Sequence, residues 1–182
     1  MRLLVTLPLL FAAVSVAAAQ DALRPEDRAM IDACLEKQKD EPEHCITAVF
    51  KPCTEAPQGP KDRVPHDSTG GQVECFKREM AVWDEKMAAS LQQLLASPLG
   101  KKIVRPEYRP AGNERKRPVA GADIINDMQK TWLAARATPC DTESMLYEEG
   151  TFATIVFGNC VLKETGHHVI WLLDVVNDTT GR

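Results

Sequence analysis

Two pairs of side chains have residue types that could support catalysis or metal binding. Glu79 and Asp84 are carboxylates of the kind that act as general acids and bases, and His167 and His168 are of the type that binds metal ions. At 3.6 residues per turn, carboxylates five positions apart on a helix point about 140° apart, and adjacent histidines about 100° apart. Neither pair converges on one substrate or one metal ion. We interpret the carboxylates as structural and the histidines as solvated.

No motif of recognised chemistry accompanies these pairs. The sequence has no Ser-His-Asp pattern, no glycine-rich phosphate loop and no metalloprotease motif. It contains no Cys-x-x-Cys pair, and its four histidines show no ligand spacing with the cysteines. The sequence therefore predicts no catalytic residue, no cofactor and no metal site. A hydrolase whose site lacks a recognisable motif stays as an alternative.

The first 19 residues have the pattern of a secretory signal peptide. A positive start at Arg2 precedes an almost entirely apolar stretch, and Ala17-Ala18-Ala19 supplies the small residues that signal peptidase needs, so we expect cleavage before Gln20. A membrane anchor is the alternative, but the stretch is shorter than the about 20 residues that span a bilayer. We expect residues 20–182 to form a single domain that is periplasmic or secreted, with no transmembrane segment.

All six cysteines lie in the expected mature chain. An even number of cysteines in an exported protein indicates three disulfides, because the compartment outside the cytoplasm is oxidising. Six cysteines allow fifteen pairings, of which we favour the nearest-neighbour one. That scheme joins Cys34 to Cys45, Cys53 to Cys75, and Cys140 to Cys160.

Apolar spacing predicts an all-α fold, with three to four main helices in a compact bundle. Between residues 72 and 96, apolar side chains recur every three or four positions and form one stripe. A further helix is expected to start at Pro25 and to end before Pro42. Another is expected from about 121 to 138, ending before Pro139-Cys140, and a last one from 152 onward with Thr151 as its N-cap. The run 169–173 is a strand in the alternative interpretation, and residues 178–182 are expected to fray.

Two irregular segments flank the striped helix. Residues 20–71 form a cysteine-rich lead-in that ends in a loop rich in proline and glycine, and residues 98–120 form a proline-rich basic loop. The loop separates two acidic regions. Residues 98–119 carry 7 basic and 2 acidic side chains, whereas residues 20–97 carry 10 basic and 15 acidic ones, and residues 120–182 carry 4 basic and 9 acidic ones. We interpret it as solvated, with contact to an anionic surface as the alternative, and we expect no nucleic acid because only Tyr108 could stack on bases.

Three polar residues fall within the apolar arcs of two predicted helices. Asp84 lies at the edge of the stripe of the 72–96 helix, where an unpaired carboxylate is costly. Arg136 and Gln129 share the arc of Trp132 on the 121–138 helix, and arginine can bind a carboxylate through two parallel hydrogen bonds. We therefore predict a buried pair between Arg136 and either Asp84 or Glu79, with Gln129 bonded to a neighbouring polar group.

Three groups of residues carry a family resemblance. In chain order they are Cys75-Phe76-Lys77-Arg78-Glu79 with Trp83-Asp84; then Gln129, Trp132, Arg136 and Cys140; then Gly150-Thr151, Cys160-Val161-Leu162 and Thr165. Together they resemble the motifs of the lysozyme-inhibitor LprI-like domain family, and the early cysteines resemble a lead-in found in some of its members. The chain departs from the usual family pattern at Leu91, Ala137 and His168, and its basic loop is longer.

The resemblance implies an exported, disulfide-bonded helical bundle. For some members of the family it implies binding and inhibition of lysozyme, which requires an acidic surface facing a cationic enzyme. We therefore expect a binding protein and not an enzyme, whose partner is lysozyme or another cationic envelope protein. The alternative is a structural or interaction module of the envelope without lysozyme activity. The resemblance does not indicate an oligomeric state.

Overall fold

The computed structural model describes residues 23–59, 64–105, 118–147 and 150–181. The expected signal peptide and residues 106–117 of the basic loop lie outside these ranges. In chain order the elements are α1 (Pro25–Lys37), a 3-10 turn (Pro42–Cys45), α2 (Phe50–Glu55), α3 (Thr69–Ala96), α4 (Pro98–Lys101), β1 (Ile103–Val104), β2 (Val119–Ala120), α5 (Gly121–Ala135), α6 (Thr138–Ser144), a second 3-10 turn (Met145–Tyr147) and α7 (Thr151–Thr180). The expected all-α fold is confirmed. Across the described ranges, no helix combines the length and apolar character that a membrane span requires.

Helix α3 confirms the apolar stripe seen in the sequence. It begins three residues earlier than expected, because the Ser68 side chain accepts a hydrogen bond from the amide of Gly71 at 3.1 Å and caps the helix. It ends where the sequence predicts, at Ala96 before Ser97-Pro98. Its 28 residues place Trp83, Leu94 and other apolar side chains in the core.

Helix α7 runs without interruption through residues 169–173, so the strand interpretation of that run is wrong. Its N-cap is Gly150, and Thr151 is its first residue. The expected fraying from residue 178 is also wrong, since the helix continues to Thr180. Gly181 then ends it with φ of 68°, a left-handed conformation that glycine adopts without strain.

The two long helices α3 and α7 pack against each other over the most extensive contact in the described chain. Two glycines of α7 permit the close approach of neighbouring side chains. A Cβ atom at Gly158 would lie 2.7 Å from the ring of Phe76 on α3, and one at Gly166 would lie 2.7 Å from Ile46 in the lead-in. The core is therefore built around α7, with α3 on one part of it and the lead-in on another.

The lead-in is fixed to α3 by covalent and ionic links. Two disulfides, Cys34–Cys45 and Cys53–Cys75, join α1 to the first 3-10 turn and α2 to α3. Arg28 on α1 donates a hydrogen bond from Nε to Glu85 on α3 at 2.7 Å. The third disulfide, Cys140–Cys160, joins α6 to α7, so all three follow the nearest-neighbour scheme.

Two expectations about proline-containing segments are wrong. Pro139 does not end a helix but stands in the first turn of α6, where its missing N–H is not needed for intrahelical hydrogen bonding. Within 98–120, which was expected to be a loop, Pro98 likewise begins the short helix α4. The same segment contains β1 and β2, which pair antiparallel with Ile103 opposite Ala120 and Val104 opposite Val119.

Candidate interaction surface

Glu79 is fully buried on α3, and its carboxylate is saturated by hydrogen bonds from the lead-in. The amides of Thr47, Val49 and Phe50 donate to it at 2.7, 2.9 and 2.7 Å, and the indole Nε1 of Trp83 donates at 3.0 Å. Two of these amides belong to the start of α2, a helix that has no side-chain cap of its own. Glu79 therefore caps α2 from another helix and orients Trp83, one turn along α3.

The predicted buried pair with Arg136 takes a different form. Arg136 Nη1 lies 3.7 Å from the Asp84 carboxylate, but the Asp84 side chain is 53% exposed. Partial burial raises the pKa of Asp84, and the positive charge of Arg136 opposes that rise. The Arg136 guanidinium also lies 5.5 Å from the centroid of the Trp132 ring. The pair with Asp84 is thus a partly exposed ion pair, in which Arg136 Nη1 is buried and Asp84 is half exposed, and the alternative pairing with Glu79 is wrong.

The buried arginine–carboxylate pair of this structure joins Asp27 to Arg78. Asp27 on α1 is fully buried, and Arg78 donates to it from Nε at 2.9 Å and from Nη2 at 2.5 Å. Such two-bond pairing is the strongest geometry available to arginine and carboxylate. The sequence signal for this pair is weaker, because an acid in the first turn of a helix is already favoured by the helix dipole.

A second polar cluster lies between α5 and α7. Gln129 donates from Nε2 to the sulfur of Met87 at 2.9 Å, so its Oε1 faces His168 Nε2 at 2.9 Å. The imidazole stacks on Trp132, with ring centroids 3.9 Å apart. Gln129 is bonded to neighbouring side chains as expected, whereas the expectation that His168 is solvated is wrong. His167, the preceding residue, is exposed.

An exposed apolar corner stands out at the turn between α6 and α7. We define it as Met145, Leu146, Tyr147 and Phe152. Met145 and Leu146 are each 78% exposed, and Tyr147 packs edge-on against Phe152 with ring centroids 5.0 Å apart. Contiguous exposed apolar residues are typical of interaction sites and not of an ordinary solvated surface.

The apolar corner is joined at its base by a disulfide and is surrounded in sequence by acidic residues. The buried Cys140–Cys160 disulfide closes the chain segment that contains it. Asp141 and Glu143 on α6 are exposed. Between residues 137 and 162 the sequence holds four acidic residues and no lysine, arginine or histidine. This arrangement can bind a partner with an apolar recess and a positive rim.

A family model matches most of the chain from α3 to α7, including the apolar corner. A model of the family "Lysozyme inhibitor LprI" matches residues 62–172. The chain belongs to this family. The match to LprI confirms the resemblance seen in the three residue groups and begins after α1 and α2, which lie outside it. Comparisons with curated proteins and with solved structures gave no match.

The part of this LprI protein that the structure describes contains no cluster of metal ligands. No three side chains of histidine, cysteine, aspartate or glutamate in residues 23–59, 64–105, 118–147 and 150–181 are grouped as metal ligands. All six cysteines are in disulfides, and none is free.

Replacing Glu79 by glutamine should destabilise the protein by about 3 kcal/mol, because an amide keeps one acceptor oxygen and turns an NH2 group toward buried N–H donors. Denaturant unfolding with the disulfides intact measures this loss. Glu74→Gln on the same helix is the control, since Glu74 is exposed and pairs with Lys77. It should cost less than about 0.5 kcal/mol. Equal stability of the two variants would refute the capping role of Glu79.

Stability should also depend on pH through His168. Burial lowers the pKa of His168 from 6.5 to about 4. Between these values the unfolded chain binds a proton that the folded protein does not, so the free energy of unfolding falls as the pH is lowered from 6.5 to 4. The contribution is up to about 3 kcal/mol.

The His168→Phe variant should lose this part of the pH dependence, while retaining a ring that can stack on Trp132. His167→Phe, which replaces the exposed neighbour, should retain it. Thermal or denaturant unfolding across this pH range compares the two slopes. Parallel curves for both variants and the unmodified protein would show that His168 is not held neutral.

Proposed function

We infer that the protein inhibits lysozyme-type muramidases by binding them, without catalysis of its own, and that the apolar corner is the contact. Membership of the LprI family supports the inhibitor role. The observation that carries the choice of surface is the exposure of Met145, Leu146 and Phe152 on a segment closed by the Cys140–Cys160 disulfide.

The shape of the corner suits entry into an enzyme cleft. A 3-10 turn of three residues joins α6 to the segment before α7 and presents adjacent apolar side chains at its tip. At typical protein interfaces, a few side chains buried in a recess supply most of the binding energy. Because the disulfide already restricts the segment, part of the conformational entropy cost of binding is met before the corner binds.

The charge around the corner suits a cationic enzyme. The four acidic residues between 137 and 162 have no basic neighbour in that stretch of sequence. A concentrated negative field accelerates encounter with a positively charged partner and orients it, an effect that salt weakens. The basic residues of the 98–120 segment lie outside this stretch of sequence.

We place this activity outside the cytoplasm. Three disulfides stabilise the described fold, and disulfides persist in oxidising compartments such as the periplasm. The signal-peptide pattern of residues 1–19 supports the same location. Muramidases that attack the cell wall act in that compartment, so inhibitor and target would meet there.

Lysis of a cell-wall suspension by a cationic lysozyme tests the proposal. Micromolar mature protein should slow lysis at low ionic strength, and added salt should weaken the inhibition. The double substitution Met145→Ser with Leu146→Ser should raise the inhibitory concentration at least about tenfold, because it removes the most exposed apolar side chains of the corner.

The matched control is Leu133→Ser, which alters an exposed leucine on α5 that does not belong to the corner. It should inhibit as the unmodified protein does, and circular dichroism should show all variants folded. Undiminished lysis in the presence of the unmodified protein would overturn the inhibitor role. Inhibition that survives in the double variant would overturn the choice of the corner.

A further inference from the structure

A cleft between the lead-in and α7 carries polar groups that neither the fold nor the proposed inhibition explains. Its cavity has a volume of about 560 Å³, within the range of about 300–1,000 Å³ typical of small-molecule sites. We call it the lysine cleft and define it by six of its lining residues, His44, Thr47, Lys51, Asn159, Lys163 and His167.

Several hydrogen-bond donors line the lysine cleft. Asn159, Lys163 and His167 follow one another at intervals of four on α7, so they share one face of that helix. Lys51 faces them from α2. Among the described residues, neither Lys51 nor Lys163 has a carboxylate within 4.0 Å, in contrast to Lys77 and Lys86, which are ion-paired. The cleft therefore holds two ammonium groups whose charge is not neutralised by a partner.

One acidic side chain, Glu43, also lines the lysine cleft. It is exposed, and with neutral histidines the fixed charge of the lining is +1 from Lys51, Lys163 and Glu43. His44 lies 3.3 Å from the Glu41 carboxylate, so it adds no further net positive charge to the lining. A positive cleft on a chain of net charge −4 is a local departure from the overall balance. It favours an anionic ligand.

Backbone strain also occurs in the lining of the lysine cleft. Thr47 has φ of 83°, and among the described residues it is the only one other than glycine with a positive φ. Strain of this kind persists where the surrounding structure enforces it, and it concentrates at functional sites. Glu79 enforces it here by accepting the Thr47 amide at 2.7 Å. The strained turn places Thr47, a residue with a hydroxyl donor, in the lining of the cleft.

We propose that the lysine cleft binds a phosphate monoester attached to a small polar body such as a sugar. A phosphate monoester carries a charge of about −1.5 to −2 near neutral pH and three strong acceptor oxygens. Two ammonium groups, an amide and a hydroxyl from separate elements provide four donor groups, which suit the three acceptor oxygens of a phosphate monoester better than the two oxygens of a carboxylate. The cavity is larger than one phosphate group, which leaves room for the attached body.

This site is distinct from the apolar corner. Lys163 lies eleven residues after Phe152 on α7, a distance of about 16 Å along the helix axis. Loss of lysozyme inhibition and loss of phosphate binding can therefore be separated by mutation, and the proposal does not depend on the inhibitor role.

Calorimetric or NMR titration of the intact disulfide-bonded protein at low salt tests the site. The probes are glucose 6-phosphate, inorganic phosphate, glucose and glucuronate. Glucose 6-phosphate should bind, and glucose and glucuronate should bind at least about tenfold more weakly. Binding of inorganic phosphate with equal affinity would show that the phosphate group alone is recognised, and weaker binding would show that the sugar also contributes. Both results support the site.

Variants of the lining supply the decisive comparison. Lys51→Met and Lys163→Met should each weaken glucose 6-phosphate binding about tenfold, because each removes a charge-assisted hydrogen bond. Glu43→Gln should strengthen binding, since it removes the negative charge from the lining. Lys130→Met is the matched control, because Lys130 is exposed on α5 and does not line the cleft. It should bind as the unmodified protein does.

Three results would overturn the proposal. The first is no binding of glucose 6-phosphate up to about 10 mM. The second is an equal loss in Lys130→Met, which would mean that only the overall charge matters. The third is equal binding of glucuronate, which would mean that the cleft does not select phosphate.

Discussion

The carboxylate of Glu79 accepts hydrogen bonds from three backbone amides in the segment that leads into α2 and begins it, together with one from the indole N–H of Trp83. Buried amides without acceptors would cost about 1–3 kcal/mol each, so this segment could not take its present course without such an acceptor. The same bonds hold Thr47 in its strained conformation and fix the start of α2, which carries Lys51. One side chain of α3 thereby determines both the packing of the lead-in and the shape of the lysine cleft.

Disulfides complete what hydrogen bonding begins. Each closed loop restricts the unfolded chain and contributes typically about 2–4 kcal/mol, which matters in a protein whose aromatic content is 5%. Two of the three bridges hold the lead-in, and the third holds the base of the apolar corner. The apolar core between α3 and α7 can therefore support surface features, an exposed apolar turn and a strained polar cleft, that would be unfavourable in a less constrained chain.

Features set by local periodicity were predictable from the sequence, whereas features set by tertiary contact, apart from the disulfide pairing, were not. The stripe of α3 and the family-like residue groups are visible in the sequence because helical spacing is a short-range signal. His168 has no such signal: its burial against Trp132 depends on how α5 and α7 pack. Asp27 has the sequence context of an ordinary helix-start acid, and only the approach of Arg78 makes it a buried ion pair. Pro139 is ambiguous in the sequence, because a proline can follow the end of one helix or stand in the first turn of the next.

The most direct test of this account is native-state hydrogen exchange at the amides of Thr47, Val49 and Phe50. If Glu79 accepts them in the folded protein, they should exchange only through global unfolding, with the same protection as amides in the centre of α3. Exchange of these three amides at rates close to those of an unstructured peptide, while α3 stays protected, would contradict the account. The lead-in would then not be held by Glu79, and neither the fold nor the lysine cleft could depend on it.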